Sequence, residues 1–365
     1  MVRLSPTVIN RAMLMDEALR EYGSKVFYYS PKHIRAADTD IPGYVIENHQ
    51  FVPASMPVPS INGNWTYSTR RLLDKGMGYR NFVEWAENQG VGIYVPLTFS
   101  ELAVNKYEVY KAVRCYRQDI HPHTERYRQS REQLGFFLQR SSLVFLKPRA
   151  GNKGDGILTV RQGADGFTVT CHRKGKRKQY LGRTLADAHR FIKAATGGTR
   201  RYIIQHGIQT MPYQGATFDL RVVMLHDGSQ WSWLHEARVS RRGAELSNIS
   251  QGGTSLVTED LLLALFGAED AAEHLQALRD ESFGLAGYFD RLHPGEIMEV
   301  AFDFVLDTQG VLHLVEINSK PGLVSVGFEV SFLHKQPEHE ALFERWVYPH
   351  VRSLASFLHS KVEAA

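Results

Sequence analysis

The sequence has very few cysteines and no long hydrophobic run. Its two cysteines, Cys115 and Cys171, stand far apart among 365 residues, which argues against a disulfide framework or a cysteine-based metal site. The longest apolar run, 261–266, is much shorter than the roughly 20 residues that a membrane helix needs. The first 15 residues lack the continuous apolar core of a signal peptide. We therefore expect a cytoplasmic protein with no membrane partner.

Charge is also only weakly biased. The net charge at pH 7 is +4, which is too mild over this length to predict nucleic-acid binding, although it suits an anionic ligand. Hydrophobic residues make up 43% of the chain and charged residues 22%, as in ordinary globular proteins. The length exceeds that of a single compact core, so two or three domains are expected. Nothing in the sequence indicates an oligomeric state.

The order of predicted elements outlines this organisation. Helix and strand patterns alternate over residues 1–100, which predicts a small N-terminal α/β domain. A helix is expected to begin after Asn105, with Glu108 completing a capping box. Other segments with a helical pattern are 8–22, 79–89, 184–196, 259–266, 269–290 and 340–359, the last interrupted near Pro349.

An acidic hairpin near the C-terminus is a candidate metal site. Two predicted strands, 298–306 and 311–318, are joined by a polar turn that ends in glycine. Because strand residues alternate between faces, Glu316 and Asn318 point the same way. With Asp303 beside them, two carboxylates and an amide oxygen would suit Mg²⁺. The alternative is a solvated acidic face.

The register decides whether these three side chains meet. If Leu306 pairs with Val311, Asp303 lies opposite Leu314 and diagonal to Glu316, about 7–8 Å away. A slip of one residue would destroy the arrangement. Without a cation, the two carboxylates would repel each other.

A glycine-rich loop follows a predicted strand at 143–147. Glycines at 151, 154 and 156 allow close backbone approach to an anion, and Lys147 and Lys153 add positive charge. The loop does not end in the Gly-Lys-Ser/Thr of a P-loop, and no helix follows as in a dinucleotide fingerprint. The alternative is a plain hairpin turn.

A basic run occupies a second predicted hairpin, at 169–181. Its cationic residues are Arg173, Lys174, Lys176, Arg177 and Lys178. A solvated hairpin tip is the preferred interpretation, and a contact with phosphate or an acidic substrate is the alternative.

Several short motifs succeed one another along the chain. They are Phe27-Tyr28-Tyr29-Ser30-Pro31, Asn105-Lys106-Tyr107-Glu108, Phe145-Leu146-Lys147-Pro148, Tyr202-Ile203-Ile204-Gln205-His206-Gly207-Ile208, Phe218-Asp219-Leu220-Arg221, His235-Glu236-Ala237-Arg238 and Asn248-Ile249-Ser250-Gln251-Gly252-Gly253. With the glycine loop and the acidic hairpin, this order resembles the ATP-grasp superfamily, most closely the YheC/YheD-type, spore-coat-associated ATP-grasp proteins. Each motif alone is weak, and their common order is specific.

The resemblance implies an ATP-grasp fold of mixed α/β class. Residues 1–100 would form the N-terminal α/β domain, 101–206 the small lid lobe, and 207–365 a larger lobe with an antiparallel sheet. The ATP-binding residues it implies are Lys106, Lys147, Gly151, Lys153, Gly154, Gly156, Gln205, His206, Ile208 and Asp219. The magnesium ligands are Asp303, Glu316 and Asn318, and the catalytic residues are Arg221, Arg238 and Asn248. The substrate contacts are Ser250, Gly252 and Gly253, and Lys320, just after the metal set, is a further candidate.

The activity implied is ligation of a carboxylate to an amine through an acylphosphate, with Mg²⁺ and ATP as cofactors. The expected substrates are small molecules such as an amino acid or a peptide. The alternatives are a noncatalytic, spore-associated nucleotide-binding protein and a phosphotransferase acting on a hydroxyl. Leu246 stands where related glutamate ligases often carry arginine, which is consistent with a different substrate.

Overall fold

The computed structural model describes residues 6–29, 40–57, 59, 61–63, 88, 92–94, 97–151, 155–173, 176–199, 201–241, 254–319, 321, 344 and 347–363. The helices are α1 Pro6–Arg20, α2 Leu97–Val104, α3 Lys106–Tyr116, α4 Arg131–Arg140, α5 Leu185–Thr196, α6 Thr258–Leu292 and α7 Tyr348–Glu363. None of these helices is long and apolar enough to cross a membrane.

The strands form three antiparallel sheets and one short parallel pair. The strands are β1 Tyr28–Tyr29, β2 Asp40–Glu47, β3 Gln50–Pro57, β4 Ile61–Gly63, β5 Gly92–Tyr94, β6 Thr124–Arg126, β7 Leu143–Pro148, β8 Leu158–Gly163, β9 Gly166–Arg173, β10 Lys176–Gly182, β11 Tyr202–His206, β12 Phe218–His226, β13 Trp231–Val239, β14 Thr254–Leu256, β15 Glu299–Leu306 and β16 Leu312–Asn318. The sheet orders are β1-β2-β3, β10-β9-β8-β7-β11-β6 and β14-β13-β12-β15-β16, and β4 pairs with β5. The expected mixed α/β class with an antiparallel C-terminal sheet is confirmed, whereas the boundaries at 100 and 206 stay a prediction.

The six-stranded sheet is covered on one face by α4 and α5. Alternate residues of its strands, such as Val144, Val160 and Val169, pack there against Phe137 of α4 and Ile192 of α5. Helix α5 begins with a complete capping box between Thr184 and Asp187. The opposite face of this sheet carries Lys147 and Gln205, because strand residues alternate.

The five-stranded sheet packs against helices on both faces. One face, with Val222 and Phe302, lies against α6. The other face is apolar over half of its length, where Val223 and Ala301 pack on α1 and α7, including Leu354. The remaining half of this face carries the polar residues of the candidate site. Among the described residues, the helices therefore cover the apolar half of this face and not the polar half.

Helix α6 contains one break in its regular backbone. Gly267 has φ 80° and ψ 177°, which lies outside helical geometry. A residue with a side chain adopts this region with difficulty, so glycine suits the break. The predicted separation of two helices at this point is confirmed.

One local prediction needs correction. Asn105 does cap α3, with its side chain accepting from the backbone of Tyr107, but Glu108 pairs with Lys111 and Arg126 and makes no capping box. Helix α7 covers most of the predicted closing helix, whereas most of residues 340–347 lie outside the described part, so the interruption near Pro349 stays a prediction. The predicted helix at 79–89 lies outside the described residues, apart from residue 88.

Helix α6 offers a matched test of this packing. Leu278 is fully buried against the five-stranded sheet, whereas Leu263 on the same helix is 52% exposed. Leu278→Ala should lower the free energy of unfolding by about 2–5 kcal/mol, because it removes buried methyl groups and leaves a cavity. Leu263→Ala should cost no more than about 1 kcal/mol. Denaturant unfolding measures both, and equal losses would contradict this placement of α6.

Candidate functional site

A pocket lies between the two larger sheets. Its lining residues are Ala103, Lys106, Val109, His121, Lys147, Ile203, Gln205, Val315, Glu316 and Ile317. Four of them, Lys106, Lys147, Gln205 and Glu316, come from four separate motifs of the sequence. The fold thus brings together cationic, amide and carboxylate groups that are as much as 210 residues apart.

Lys106 connects the two sides of this pocket. It is the first residue of α3, directly after the capping residue Asn105. Its Nζ donates to the carbonyl oxygen of Gly151 at 2.9 Å and lies 3.1 Å from Oε1 of Glu316. One ammonium group therefore joins the start of the glycine loop to the acidic hairpin.

Lys147 lies on β7, where it pairs with Ile203 of β11. The pKa of Lys147 is lowered to about 8, chiefly by burial; the charge of Glu316 opposes this shift and the charge of Lys106 adds to it. An anion beside Lys147 would favour its protonated form. In the pocket, the protonated form of Lys147 is thus disfavoured until an anion binds.

The glycine loop is described only at its two ends. Gly156 has φ 78°, and a Cβ there would lie 3.1 Å from Cγ of Pro148, so this position requires glycine. Gly151 contributes the carbonyl oxygen that Lys106 contacts. Lys153 and Gly154 lie outside the described residues, so their predicted phosphate contacts stay a prediction.

The predicted hinge places its side chains on different sides of the small sheet. Gln205 lines the pocket and donates to Oγ1 of Thr124 at 2.8 Å. The ring of His206 packs instead against Phe137, with centroids 4.8 Å apart, and burial lowers its pKa. The side chain of His206 therefore lies away from the pocket, and its backbone amide donates to the carbonyl oxygen of His123 at 3.0 Å. Ile208 follows in the connection beyond β11 and is not among the pocket residues.

The register of the acidic hairpin differs from the one predicted. Leu306 pairs with Leu312, and a β-bulge beside Asp303 brings Glu316 directly opposite it. The bulge arises because β16 has one extra residue, Val315, at this point. The predicted diagonal arrangement is therefore wrong, although the expected proximity holds. Asn318 follows on the same face, with its Nδ2 3.4 Å from Oδ2 of Asp303.

Asp303 is held by two arginines, one from the adjacent strand β12 and one from β13 beyond it. Arg221 lies opposite it and donates through Nε and Nη2, both at 2.8 Å, and Nη2 of Arg238 lies 3.1 Å from Oδ2. Burial alone would raise the pKa of Asp303, but the two guanidinium groups hold it well below its usual range. The expected repulsion between bare carboxylates is wrong, since Glu316 is likewise paired with Lys106.

The network extends to a second carboxylate. Nε of Arg238 lies 2.5 Å from Oδ1 of Asp219, its cross-strand partner. Asp219 therefore orients Arg238, whereas its predicted contact with ATP stays a prediction. Fully buried Glu236, opposite Arg221, accepts a hydrogen bond from Ser255 at 2.7 Å and had no predicted role. Glu236 stands two residues before Arg238, and this spacing places both side chains on the same strand face. The sequence therefore contained a signal that Glu236 belongs to the site.

His121 is a second pocket residue that sequence reasoning did not select. Its ring is buried, with Nδ1 3.1 Å from the carbonyl oxygen of Pro122, and burial lowers its pKa to about 4. A neutral imidazole therefore lies near Lys147. It sits in the connection between α3 and β6, where no periodic pattern marks a pocket residue.

Several predicted residues fall outside the described part of the chain. They are Asn248, Ser250, Gly252, Gly253 and Lys320, whose catalytic and substrate roles stay predictions. Among the described residues, no three Asp, Glu, His or Cys side chains converge on one point. The candidate metal set consists of two carboxylates and one amide.

Two antiparallel sheets with a cation-lined pocket between them are the architecture of ATP-grasp proteins. A Chryseobacterium gregarium RiPP-associated ATP-grasp ligase, solved in complex with ADP and a leader and core peptide, superimposes with a TM-score of 0.51 and 12% identity, covering 96% of this chain and 94% of that one. D-alanyl-alanine synthetase A from Vibrio cholerae gives 0.50 and 12%, covering 97% and 94%. These likenesses show the ATP-grasp fold.

The family is narrower than the fold. Residues 96–338 match the family described as YheC/D like ATP-grasp, and the chain belongs to this family. Endospore coat-associated protein YheC of Bacillus subtilis is 29% identical over 210 residues, 53% of each chain. YheD of the same organism is 26% identical over 187 residues, 49% of this chain and 39% of that protein. The chain therefore spans about half or less of the relatives it matches.

The two acidic residues of the hairpin should differ sharply in their effect on stability. Asp303→Asn leaves Arg221 and Arg238 without their shared carboxylate in a buried place, which should cost about 3–5 kcal/mol. Glu316→Gln loses one partly exposed ion pair with Lys106 and should cost less than about 1 kcal/mol. Denaturant unfolding in metal-free buffer distinguishes them, and equal effects would contradict the role given to Asp303.

Proposed function

We propose that this chain is an ATP-dependent ligase that joins a carboxylate to an amine and releases ADP. The substrate would be an amino acid or a peptide-like molecule. The observation that carries the proposal is the convergence of Lys106, Lys147, Arg221 and Arg238 on the carboxylates of one hairpin, beside the pocket between the two larger sheets. Family membership supports nucleotide binding in this place.

ATP would lie in the pocket between β7, β11 and β16. Gln205 and the backbone of β11 face its inner end, and Lys147 and Lys106 lie where phosphate oxygens would need positive charge. Gly151 and Gly156 bound the loop that we propose to cover the phosphates. The small lobe, 101–206, would act as a lid on the large lobe, 207–365.

The residues present suit a magnesium ion bound with the nucleotide. Asp303 and Glu316 face each other, and Asn318 lies on the same face; its Nδ2 faces Asp303, so its amide would have to turn for the oxygen to join the set. This donor set is typical of Mg²⁺, which also takes phosphate oxygens. A bound cation would orient the phosphates and offset their charge.

The proposed reaction has two displacements. A substrate carboxylate oxygen bonds to the γ-phosphorus of ATP as the bond to ADP breaks. An amine then attacks the acyl carbon, the bond to phosphate breaks, and the amine proton passes to solvent or a base. Arg221 and Arg238 are placed to stabilise the charge on the transferred phosphoryl group, provided that they share their contacts between Asp303 and the ligand.

Two other activities stay open to experiment. The relatives are named as endospore coat-associated, which favours testing a noncatalytic role. A hydroxyl-directed phosphotransferase would use the same nucleotide site. Steady ADP release that needs both an acid and an amine supports the ligase. Release with an alcohol alone, or none at all with retained ATP binding, would favour the alternatives.

The cellular compartment is proposed from the state of the two cysteines. Cys115 and Cys171 are both free thiols. This is consistent with a reducing compartment, and we propose the cytoplasm.

Nucleotide binding should depend on Lys147. Millimolar Mg-ATP should raise the melting temperature of the wild-type protein by mass action, and Lys147→Met should abolish most of that shift. Lys193, exposed on α5, provides the matched control, since Lys193→Met should keep the full shift. A folded wild-type protein without any shift would overturn the proposed function.

The same lysine should couple ATP binding to protonation. Its pKa of about 8 in the free protein means that a substantial fraction is neutral at pH 8.5, and a bound triphosphate should raise that pKa. Binding at pH 8.5 should therefore take up protons, and Lys147→Met should take up fewer. Calorimetry in two buffers of different ionisation enthalpy measures the uptake. Identical uptake in both proteins would contradict the protonation role of Lys147.

Loss of the Glu316 carboxylate should affect turnover much more than it affects the stability of the fold. Once an acid and amine pair is found, Glu316→Gln should reduce ADP release about a thousandfold, which corresponds to roughly 4 kcal/mol in the barrier. The protein should remain folded, for the reason given above. A titration with Mg²⁺ checks the cause, because the variant should need more of the ion. Near-normal turnover with unchanged Mg²⁺ dependence would contradict the proposed metal site.

A further inference from the structure

The outer strand of the small sheet combines an open edge with strong positive charge. Strand β10 is the edge of the six-stranded sheet, paired only with β9 among the described strands. Arg173, Lys176, Arg177 and Lys178 are all exposed there, and no described acidic side chain forms an ion pair with any of them. On the same edge, Leu181 is 74% exposed. The nucleotide site uses none of these residues.

The backbone of β10 presents hydrogen-bonding groups outward. In β9, both the amide and the carbonyl of His172 bond toward the start of β8, to Ile157 and Gly156. Alternate residues of an antiparallel strand point their backbone groups the same way, so Thr170 also turns away from β10. Its cross-strand partner, Gln179, must then direct its own amide and carbonyl to the free edge. The same holds for Arg177 and Leu181.

Strand β10 is already ordered before a peptide binds, because side-chain packing holds it against α5. The ring of Tyr180 stacks on that of Phe191 in α5, with centroids 4.9 Å apart and planes 9° apart. A peptide that adds to the edge would therefore not have to order β10 itself. Little ordering of the protein would accompany binding, which favours strand addition.

The positive charge of β10 determines which kind of peptide strand can pair with its free edge. Lysines on an edge strand oppose pairing with another copy of the same basic strand. The same charges favour an acidic strand, and they lie on both faces of the sheet, since Arg177 and Lys178 are consecutive. An acidic segment would thus meet a cation whichever face its carboxylates occupy.

We propose that β10 is a docking site for an acidic, extended segment of a peptide substrate, which adds to the small sheet as a seventh strand. The substrate part of this proposal rests on the proposed ligase function, whereas the docking does not. Strands lie about 4.8 Å apart, so the docked segment would be roughly 19 Å from β7 and Lys147. About six extended residues span that distance, which separates the recognised segment from the reacting carboxylate by at least that many residues.

The test is direct binding of a labelled peptide to the full chain without ATP. The probe is a fluorescein-labelled peptide of alternating glutamate and valine, and a lysine–valine peptide is its counterpart. Fluorescence anisotropy at low salt should show binding of the acidic probe only. Failure of the acidic probe to bind would overturn the docking proposal, and it would leave the nucleotide-dependent melting shift unaffected.

Charge-matched variants test the location. Arg177→Glu with Lys178→Glu should weaken binding at least tenfold. Arg161→Glu with Lys193→Glu makes the same change of charge at exposed positions of the same lobe and should weaken it much less. Equal losses of binding in the two double variants would mean that the net charge of the lobe attracts the peptide. That result would overturn β10 as the site.

Proline tests strand addition itself. Gln179→Pro removes an outward amide without changing charge and should weaken binding about tenfold, while Gln179→Ala keeps the amide and should bind like the wild type. An unchanged melting temperature confirms that the proline variant keeps its fold. If proline unfolds the lobe, amide hydrogen exchange of the wild type decides instead, because the docked peptide should protect the amides of Arg177, Gln179 and Leu181. Binding without that protection would overturn strand addition.

Discussion

The buried carboxylate of Asp303 holds the centre of this protein together. It lies on the second strand from the edge of the large sheet and receives guanidinium groups from two other strands of that sheet. A buried carboxylate and two buried arginines are each costly to remove from water, and they become tolerable only as a set. Asp219 completes the set by holding Arg238. The strands must therefore keep their present register, because a shift in any of them would leave a charge unmatched.

The charges of the site balance as they stand. Lys106, Lys147, Arg221 and Arg238 supply four positive charges, and Asp219, Glu236, Asp303 and Glu316 supply four negative ones. A triphosphate would disturb this balance, whereas a triphosphate with its cation would disturb it less. The free protein thus keeps its arginines pre-arranged by its own carboxylates. A ligand then meets arginines that are already ordered, so little side-chain entropy is lost on binding, but it must share contacts that already exist.

Much of this arrangement was visible in the sequence, for reasons that can be stated. Lys147, Gln205 and Glu316 were selected from separate motifs, and the fold brings all three to one pocket, while their roles stay predictions. Arg221 and Arg238 were found as well, but not their partners, because ion pairing depends on which strands become neighbours. Strand order is a property of the whole chain, and β12 lies between β13 and β15 only in the folded sheet. His121 was missed because it stands in a connection without periodic pattern.

The register of the acidic hairpin shows a second limit of prediction from the sequence. Apolar residues fall at 312 and 314, and then at 315 and 317, so the alternation changes phase between Leu314 and Val315. That change marks the bulge, yet the simplest pairing around the turn ignores it. Leu314 and Ile317 both reach the core beneath the sheet, three residues apart, and this spacing is possible only with one residue left over.

The extra residue at Val315 also bears on how such a site is inherited. If the strand kept Val315 but lost the bulge, Val315 would pair with Asp303, and Glu316 would pair with Phe302 and point into the apolar core. Deletion of the codon for Val315 would instead straighten the strand and leave Glu316 opposite Asp303. Two lineages could then differ in length at this point and still share the acidic set. A gap between Leu314 and Glu316 in a comparison of sequences is therefore no sign that the site has been lost.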